Sequence, residues 1–186
     1  MGKITSADAI QAYLTQLGYP ISPARLVENE AQRPSTLCYI VDRGRLLMLR
    51  RKKEPFANHW TAPGGKIVEG ETPPQAIVRE VFEETGLTIA NPTLKAVCSE
   101  VGEANYNWLL FLFRAESFYG EVTEGDEGEL RWISLDLIDD FLLPEIDRKI
   151  MPYILGDAPH PYWMRIEYAS DHSVARFQKR SLHELL

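Results

Sequence analysis

Positive charge is in short supply along this chain. Lys and Arg number 20 against 27 Asp and Glu, leaving a net charge of −7. A nucleic-acid polymer is therefore a poor main partner, because phosphate backbones recruit basic surfaces. Cysteine is nearly absent too: Cys38 and Cys98 are the only two, and neither sits in a CxxC or Cys/His cluster. That argues against a zinc site and a disulfide framework and leaves two buried free thiols as the expectation. No apolar run approaches membrane-spanning length, and the opening MGKITSADAIQAYL lacks the apolar core of a secretory signal. The expected location is cytoplasmic, with no membrane partner. Internal repeats and low-complexity tracts are missing as well.

What remains is an ordinary globular balance, 45% apolar and 25% charged over 186 residues, enough for one domain with a real core. Ile10, Tyr13, Leu14 and Leu17 follow helical spacing, and Gly18 stands where a helix would stop. The polar stretch from Glu28 to Ser35 reads as a linker, so residues 1–34 are expected to form a helical extension and 35–186 the main domain. The helix would pack on that domain or on a partner. TLCYIVD and RLLMLRR flank Arg43-Gly44 as a hairpin, and LKAVCSEV and NWLLFLFRA supply two more strands. The apolar run from Trp108 to Phe113 predicts a strand buried on both faces. RWISL, two helices over Leu135 to Phe141 and Glu145 to Leu155, and a closing hairpin around SDHS complete the order.

The segment GGKIVEGETPPQAIVREVFEETGL raises a sharper question. Thr72, two prolines and Gln75 make a good helix start, and Gly86 makes a stop. Ile77, Val78, Val81 and Phe82 fall on one arc of this helix, and Glu80, Glu83 and Glu84 on the next. Such a glutamate face is usually just solvated, since like charges at these spacings cost an isolated helix only about 0.2–0.5 kcal/mol per pair. The glycine-rich loop in front changes the reading. Glycines let backbone approach a ligand closely, and hard divalent cations such as Mg2+ take oxygen ligands from carboxylates, phosphates and water. A cation between the glutamates would resolve their repulsion.

Gly65, Glu71 and the run Arg79-Glu80-Val81-Phe82-Glu83-Glu84-Thr85-Gly86-Leu87 match, at every defined position, the box of the Nudix hydrolases. This long spaced pattern is highly specific, and the chain resembles that family. The resemblance implies an α/β fold, the α/β/α sandwich with a mixed sheet, here carrying an N-terminal accessory helix and a C-terminal β-hairpin. It implies that Glu80, Glu83 and Glu84 are catalytic metal ligands, joined by the Gly64 carbonyl, with Mg2+ (or Mn2+) as cofactor and Arg79 and Glu71 in supporting roles. An acid outside the box often completes such sites. Aligning back from Trp132 favours Glu129 or Glu127, whereas the Glu-Gly pair favours Glu124. Arg51, Lys52, Lys53 and Lys66 lie near the box and are candidate phosphate contacts or solvated charges.

The box fixes the bond, a diphosphate, and not the group attached to it. The order of the flanking segments is similar to MutT-type enzymes and to oxidised-purine nucleoside triphosphatases, which implies a base pocket from Thr36, Thr61 and the Leu143-Pro144-Glu145 segment, with Arg51 close by. Thr61 replaces an asparagine of that group and Leu143 a stacking aromatic, which argues against strict 8-oxo-purine selectivity. Hydrolysis of a nucleoside triphosphate to monophosphate and pyrophosphate is the expectation. A nucleotide sugar or ADP-ribose is the alternative substrate, and a non-catalytic nucleotide sensor is the alternative class; in either case the chain is expected to be a monomer or a homodimer.

Overall fold

The computed structural model describes residues 5–103 and 106–186, so the first four residues of the predicted extension lie outside the described residues. Helix α1 spans Ser6–Gln16. Its Thr5 and Asp8 form a reciprocal cap, with Asp8 N–H donating to Thr5 Oγ1 and Thr5 N–H to Asp8 Oδ2, each at 3.2 Å. Ile10 and Leu14 are buried, and the Tyr13 ring lies 6.4 Å from that of Phe113. The helix thus docks on its own sheet.

Ten strands follow in the order β1 (Arg33–Asp42), β2 (Arg45–Arg51), β3 (Trp60–Thr61), β4 (Thr88–Ala90), β5 (Thr93–Val101), β6 (Asn107–Ala115), β7 (Ser117–Tyr119), β8 (Gly128–Ser134), β9 (Tyr162–Tyr168) and β10 (Val174–Ser181). Helices α2 (Pro73–Thr85) and α3 (Glu145–Leu155) complete the set. The large sheet runs β10-β9-β5-β6-β1-β2-β3, with β8 also paired to β2, while β4 and β7 make a small separate ribbon. It is mixed: β1 and β6 are parallel, as are β5 and β9, and the other pairs are antiparallel. The β1–β2 turn has positive φ at both Arg43 (48°) and Gly44 (74°), the combination a two-residue hairpin needs to match strand twist.

Strand β6 is buried on both faces, as its apolar run predicts. Leu109, Phe111 and Phe113 enter one core with Ile77 and Val81 of α2 and Leu14 of α1. Leu112 enters the other, with Ile146, Ile150 and Ile154 of α3. The result is the α/β/α arrangement, and both cysteines are buried and free.

Three expectations need correction. Strand β1 begins at Arg33, inside the stretch read as a linker, because Gln32 is buried and its Nε2 donates to the carbonyls of Glu100 and Trp108, both at 3.0 Å. The Arg33 guanidinium then lies 4.0 Å over the Trp108 ring. The helix expected from Leu135 is a 3-10 segment, Leu135–Asp140, which buries only Ile138. On α2, Phe82 is not part of the inward arc: it is 57% exposed, and Thr85 takes the inward place. Thr85 suits it because its hydroxyl donates to the Val81 carbonyl at 2.7 Å and accepts from Leu87 N–H at 3.1 Å, so a polar group is buried with its partners.

Candidate active site

Helix α2 is fixed at both ends, which makes its side chains dependable. Gln75 Oε1 accepts from both the N–H and the hydroxyl of Thr72 at 2.9 Å, and Gly86 closes the helix in the left-handed region at φ 75°. The glycine loop before it is pinned to β1. The Gly65 carbonyl accepts from Thr36 N–H (2.8 Å) and the Ser35 hydroxyl (2.6 Å), while Cys38 N–H donates to the Pro63 carbonyl (2.9 Å). The two glycines leave room of different kinds, against backbone at Gly64 and against a side-chain end at Gly65. A Cβ on Gly64, whose φ is 149°, would stand 2.1 Å from the Thr36 carbonyl oxygen, and one on Gly65 would stand 2.3 Å from Glu80 Oε2.

Arg79 gathers the acids. Its Nε and Nη2 grip Glu71 at 2.7 and 2.8 Å, its Nη1 reaches Glu80 at 2.8 Å and Glu83 at 3.3 Å, and Nη2 also donates to the Lys66 carbonyl at 3.0 Å. The fork is the bidentate geometry only a guanidinium offers. Hydrogen bonding from Arg79 lowers the Glu71 pKa, and the same bond raises that of Arg79. Glu84 lies apart from this network, its Oε2 accepting the Gly64 N–H at 2.8 Å. Burial pushes its pKa up to about 7; the Gly64 amide and Arg51 oppose that rise, and the charges of Glu80 and Glu127 add to it.

The loop after β7 brings Glu127 there. Thr123 N–H donates to the Thr85 carbonyl at 2.9 Å, and a Cβ on Gly125 would be 3.8 Å from the carbonyl oxygens of Glu83 and Glu84. Of the three acids the sequence left open, Glu127 adds its charge to the raised pKa of Glu84. It also pairs with Lys53 at 3.3 Å. Glu129 sits on β8 opposite Arg50 and pairs with it at 3.6 Å, while Glu124 accepts from Leu130 N–H at 3.4 Å.

The remaining candidates divide. Thr36 is fully buried, with its hydroxyl 3.3 Å from the Gly65 carbonyl, and Lys66 is exposed beside the box. Thr61 and Leu143 are brought near each other, since Trp60 N–H donates to the Leu142 carbonyl at 2.8 Å; both are buried, and Leu143 belongs to the α3-side core. Glu145 turns away, accepting from Val174 N–H at 2.9 Å and pairing with Lys149 at 3.2 Å. The Arg51 charge opposes the raised pKa of both the half-buried Glu84 and the buried Asp147, while its Nε donates to the Pro55 carbonyl at 3.0 Å. Asp147 is the residue that sequence reasoning missed. It is 6% exposed, its carboxylate accepts from the Tyr39 hydroxyl at 3.4 Å, and burial lifts its pKa to about 7. Its only sequence signal was an acid flanked by the inward Ile146 and Ile150.

The three box glutamates supply hard oxygen donors beside a loop whose missing Cβ atoms make room for them, which is the chemistry a divalent cation requires. Among the described residues no three acidic, histidine or cysteine side chains converge as a finished metal cage. Arg79 and the Gly64 amide hold these carboxylates instead.

Fold and site together define a mixed α/β hydrolase scaffold with its chemistry concentrated on one helix and the glycine loop before it. The NUDIX domain model matches residues 31–154. The Nudix hydrolase YvcI of Bacillus subtilis is 32% identical over 125 residues, covering 64% of this chain and 77% of that protein. The oxidized purine nucleoside triphosphate hydrolase of Danio rerio is 34% identical over 110 residues, 55% of this chain and 67% of its own length. Among solved structures, the MutT protein of Bacillus halodurans superposes with a TM-score of 0.71 at 30% identity, covering 79% of this chain and 97% of that one. The chain belongs to the Nudix hydrolase family.

Proposed function

We propose that this enzyme is a Mg2+-dependent pyrophosphohydrolase that cleaves the diphosphate of a nucleoside triphosphate, with oxidised purine nucleotides in its range, to the monophosphate and pyrophosphate. The observation that carries this reading is the Arg79 network, in which one guanidinium orders Glu71, Glu80 and Glu83 beside the Gly65 gap while Glu84 is held separately on the Gly64 amide. Glu80, Glu83, Glu84 and the Gly64 carbonyl would hold the ion, and Mn2+ would substitute for Mg2+. When bound, a divalent cation neutralises diphosphate oxygens and lowers the pKa of attacking water.

The chain's own residues do the rest. Arg79 fixes the carboxylates in register and frees none of them to fold back on the helix. Glu127, whose charge is felt at Glu84, is the acid outside the box that best fits proton acceptance or an added ligand; Glu129, held by Arg50, fits less well. Arg51 and Lys66 supply positive charge toward phosphate. For the base, Thr61 and Leu143 line one neighbourhood, with Asp147, not Glu145, as the acid turned inward.

The similarity to an oxidized purine nucleoside triphosphate hydrolase supports the substrate class. A panel of natural and oxidised nucleoside triphosphates, nucleotide sugars and ADP-ribose, with separate detection of pyrophosphate and phosphate, tests it. Pyrophosphate release from a triphosphate at the highest kcat/KM is expected. Faster turnover of ADP-ribose than of every triphosphate would overturn the proposal.

A further inference from the structure

The proposed chemistry leaves one buried polar group of side chains unused. Glu100 of β5 is 2% exposed, and the Tyr106 hydroxyl donates to its Oε2 at 3.1 Å. Tyr168 of β9, 7% exposed, is near enough to lower the pKa of the same carboxyl. Yet its buried hydroxyl completes no hydrogen bond of ordinary geometry among the described residues. A buried hydroxyl left unpaired is costly unless something else reaches it. Tyr39 of β1, Cys98 of β5 and Asp147 of α3 are the other titratable groups around these oxygens.

Aromatic rings stand on the solvent side. The Phe56 ring centroid is 6.2 Å from that of Tyr106, 6.4 Å from Tyr168 and 5.6 Å from His172, and Tyr106 and Tyr168 are 5.1 Å apart. Phe56 is half-buried and His172 exposed. Phe56 has a φ of 65°, a conformation disfavoured for a bulky side chain. Its loop also begins at Arg51, whose Nε donates to the Pro55 carbonyl and whose charge is felt by both Glu84 and Asp147. The loop thus links the glutamate helix to the buried acids.

We infer that Glu100 determines which base the enzyme accepts: with Phe56 moved aside, its carboxyl and the Tyr168 hydroxyl hydrogen-bond a ring nitrogen and the exocyclic amino or oxo group beside it. This rests on the proposed nucleotide hydrolysis. Burial raises Glu100 to about 8, so at neutral pH it is an uncharged acid with one donor and a remaining acceptor. Tyr168 adds a hydroxyl that serves as either. Such oxygens among aromatic rings suit a planar, uncharged heterocycle, the mix of apolar wall and few polar anchors typical of small-molecule sites. Phosphate suits them poorly, since Glu100 and Asp147 repel it once ionised. A base without the exocyclic group would leave buried polar atoms unpaired, which is how such sites discriminate.

The test compares ATP and GTP with purine riboside triphosphate, which lacks exocyclic groups, in the unmodified chain, Glu100→Gln and Glu100→Leu. The unmodified enzyme should favour ATP or GTP in kcat/KM by about 100-fold or more. Glu100→Leu should lose at least about tenfold of that preference, whereas Glu100→Gln, with a donor and an acceptor, should keep it. From pH 7 to about pH 9.5 the preference should fall in the unmodified chain, as Glu100 ionises and loses its donor, and stay level in Glu100→Gln. An undiminished preference in Glu100→Leu, or the same pH dependence in the unmodified chain and Glu100→Gln, would overturn the inference. Where Glu100→Leu does not fold, the pH comparison decides. If no triphosphate is hydrolysed, the activity proposal fails, and GMP binding decides the inference separately: shifts of the Glu100 and Tyr168 amide resonances uphold it, and shifts elsewhere or none overturn it.

Discussion

Arg79 is the residue whose loss should separate catalysis from folding most cleanly. Its side chain is 30% exposed and makes five hydrogen bonds to four residues. Arg79→Ala should lower kcat by about 10- to 100-fold, as loss of a group that orients ligands typically does, while the urea midpoint moves little. Arg79→Lys should fail to rescue it, since a single ammonium cannot bridge Glu71 and Glu80 together. Gly65→Ala makes a complementary case. Its Cβ would collide with the Glu80 carboxylate, the movable end of a side chain, and not with backbone. Activity should therefore fall much further than stability, which should change by about 1 kcal/mol or less; steady-state kinetics and denaturation on the same preparation check this.

At the scale of elements, the legible parts were those whose signals are local. The α2 cap at Thr72 and Gln75, its stop at Gly86, the Arg43-Gly44 hairpin and the doubly buried β6 all follow from neighbouring residues. The glutamate face of the helix was legible because its spacing is fixed by helix geometry, whereas the supporting roles of Arg79 and Glu71 came only from the resemblance to the Nudix box. Parts set by distant contacts were not. Gln32 reads as a polar linker residue until Glu100 and Trp108 arrive to accept from it. Phe82 sits on the apolar arc by periodicity, but among the described residues it stays 57% exposed. Phe82→Ser should accordingly shift stability by no more than about 0.5 kcal/mol, whereas Thr72→Ala should cost about 1 kcal/mol through the lost cap. Equilibrium urea unfolding distinguishes the two. The different surroundings of Glu124, Glu127 and Glu129 likewise depend on the 121–127 loop folding against α2.

Across the whole molecule, two carboxyls buried deep between the sheet and α3, together with Glu84 of the candidate site, make stability depend on pH. Burial raises Glu100 to about 8, opposed by the Tyr106 hydroxyl that donates to it at 3.1 Å, and burial raises Asp147 to about 7. Each is held protonated in the folded state and ionises near 4.5 or 3.8 when exposed. Between those limits the folded state binds more protons than the unfolded one, so stability falls as pH rises. The decline should span roughly pH 4 to 8 and then level off. Glu100→Gln should flatten the upper part of that slope in urea denaturation at pH 6 and pH 8.5; an unchanged slope would mean that Glu100 is already ionised when folded.

The proposed activity requires the acidic side of α2 to bind a divalent cation together with a diphosphate. Calorimetric titration of Mn2+ into the protein with a non-hydrolysable triphosphate, alongside Glu83→Gln and Glu84→Gln of matched fold, measures this directly. Saturable binding by the unmodified chain, weakened at least about tenfold in both variants, is the predicted result. Equal Mn2+ affinity in all three proteins would contradict it.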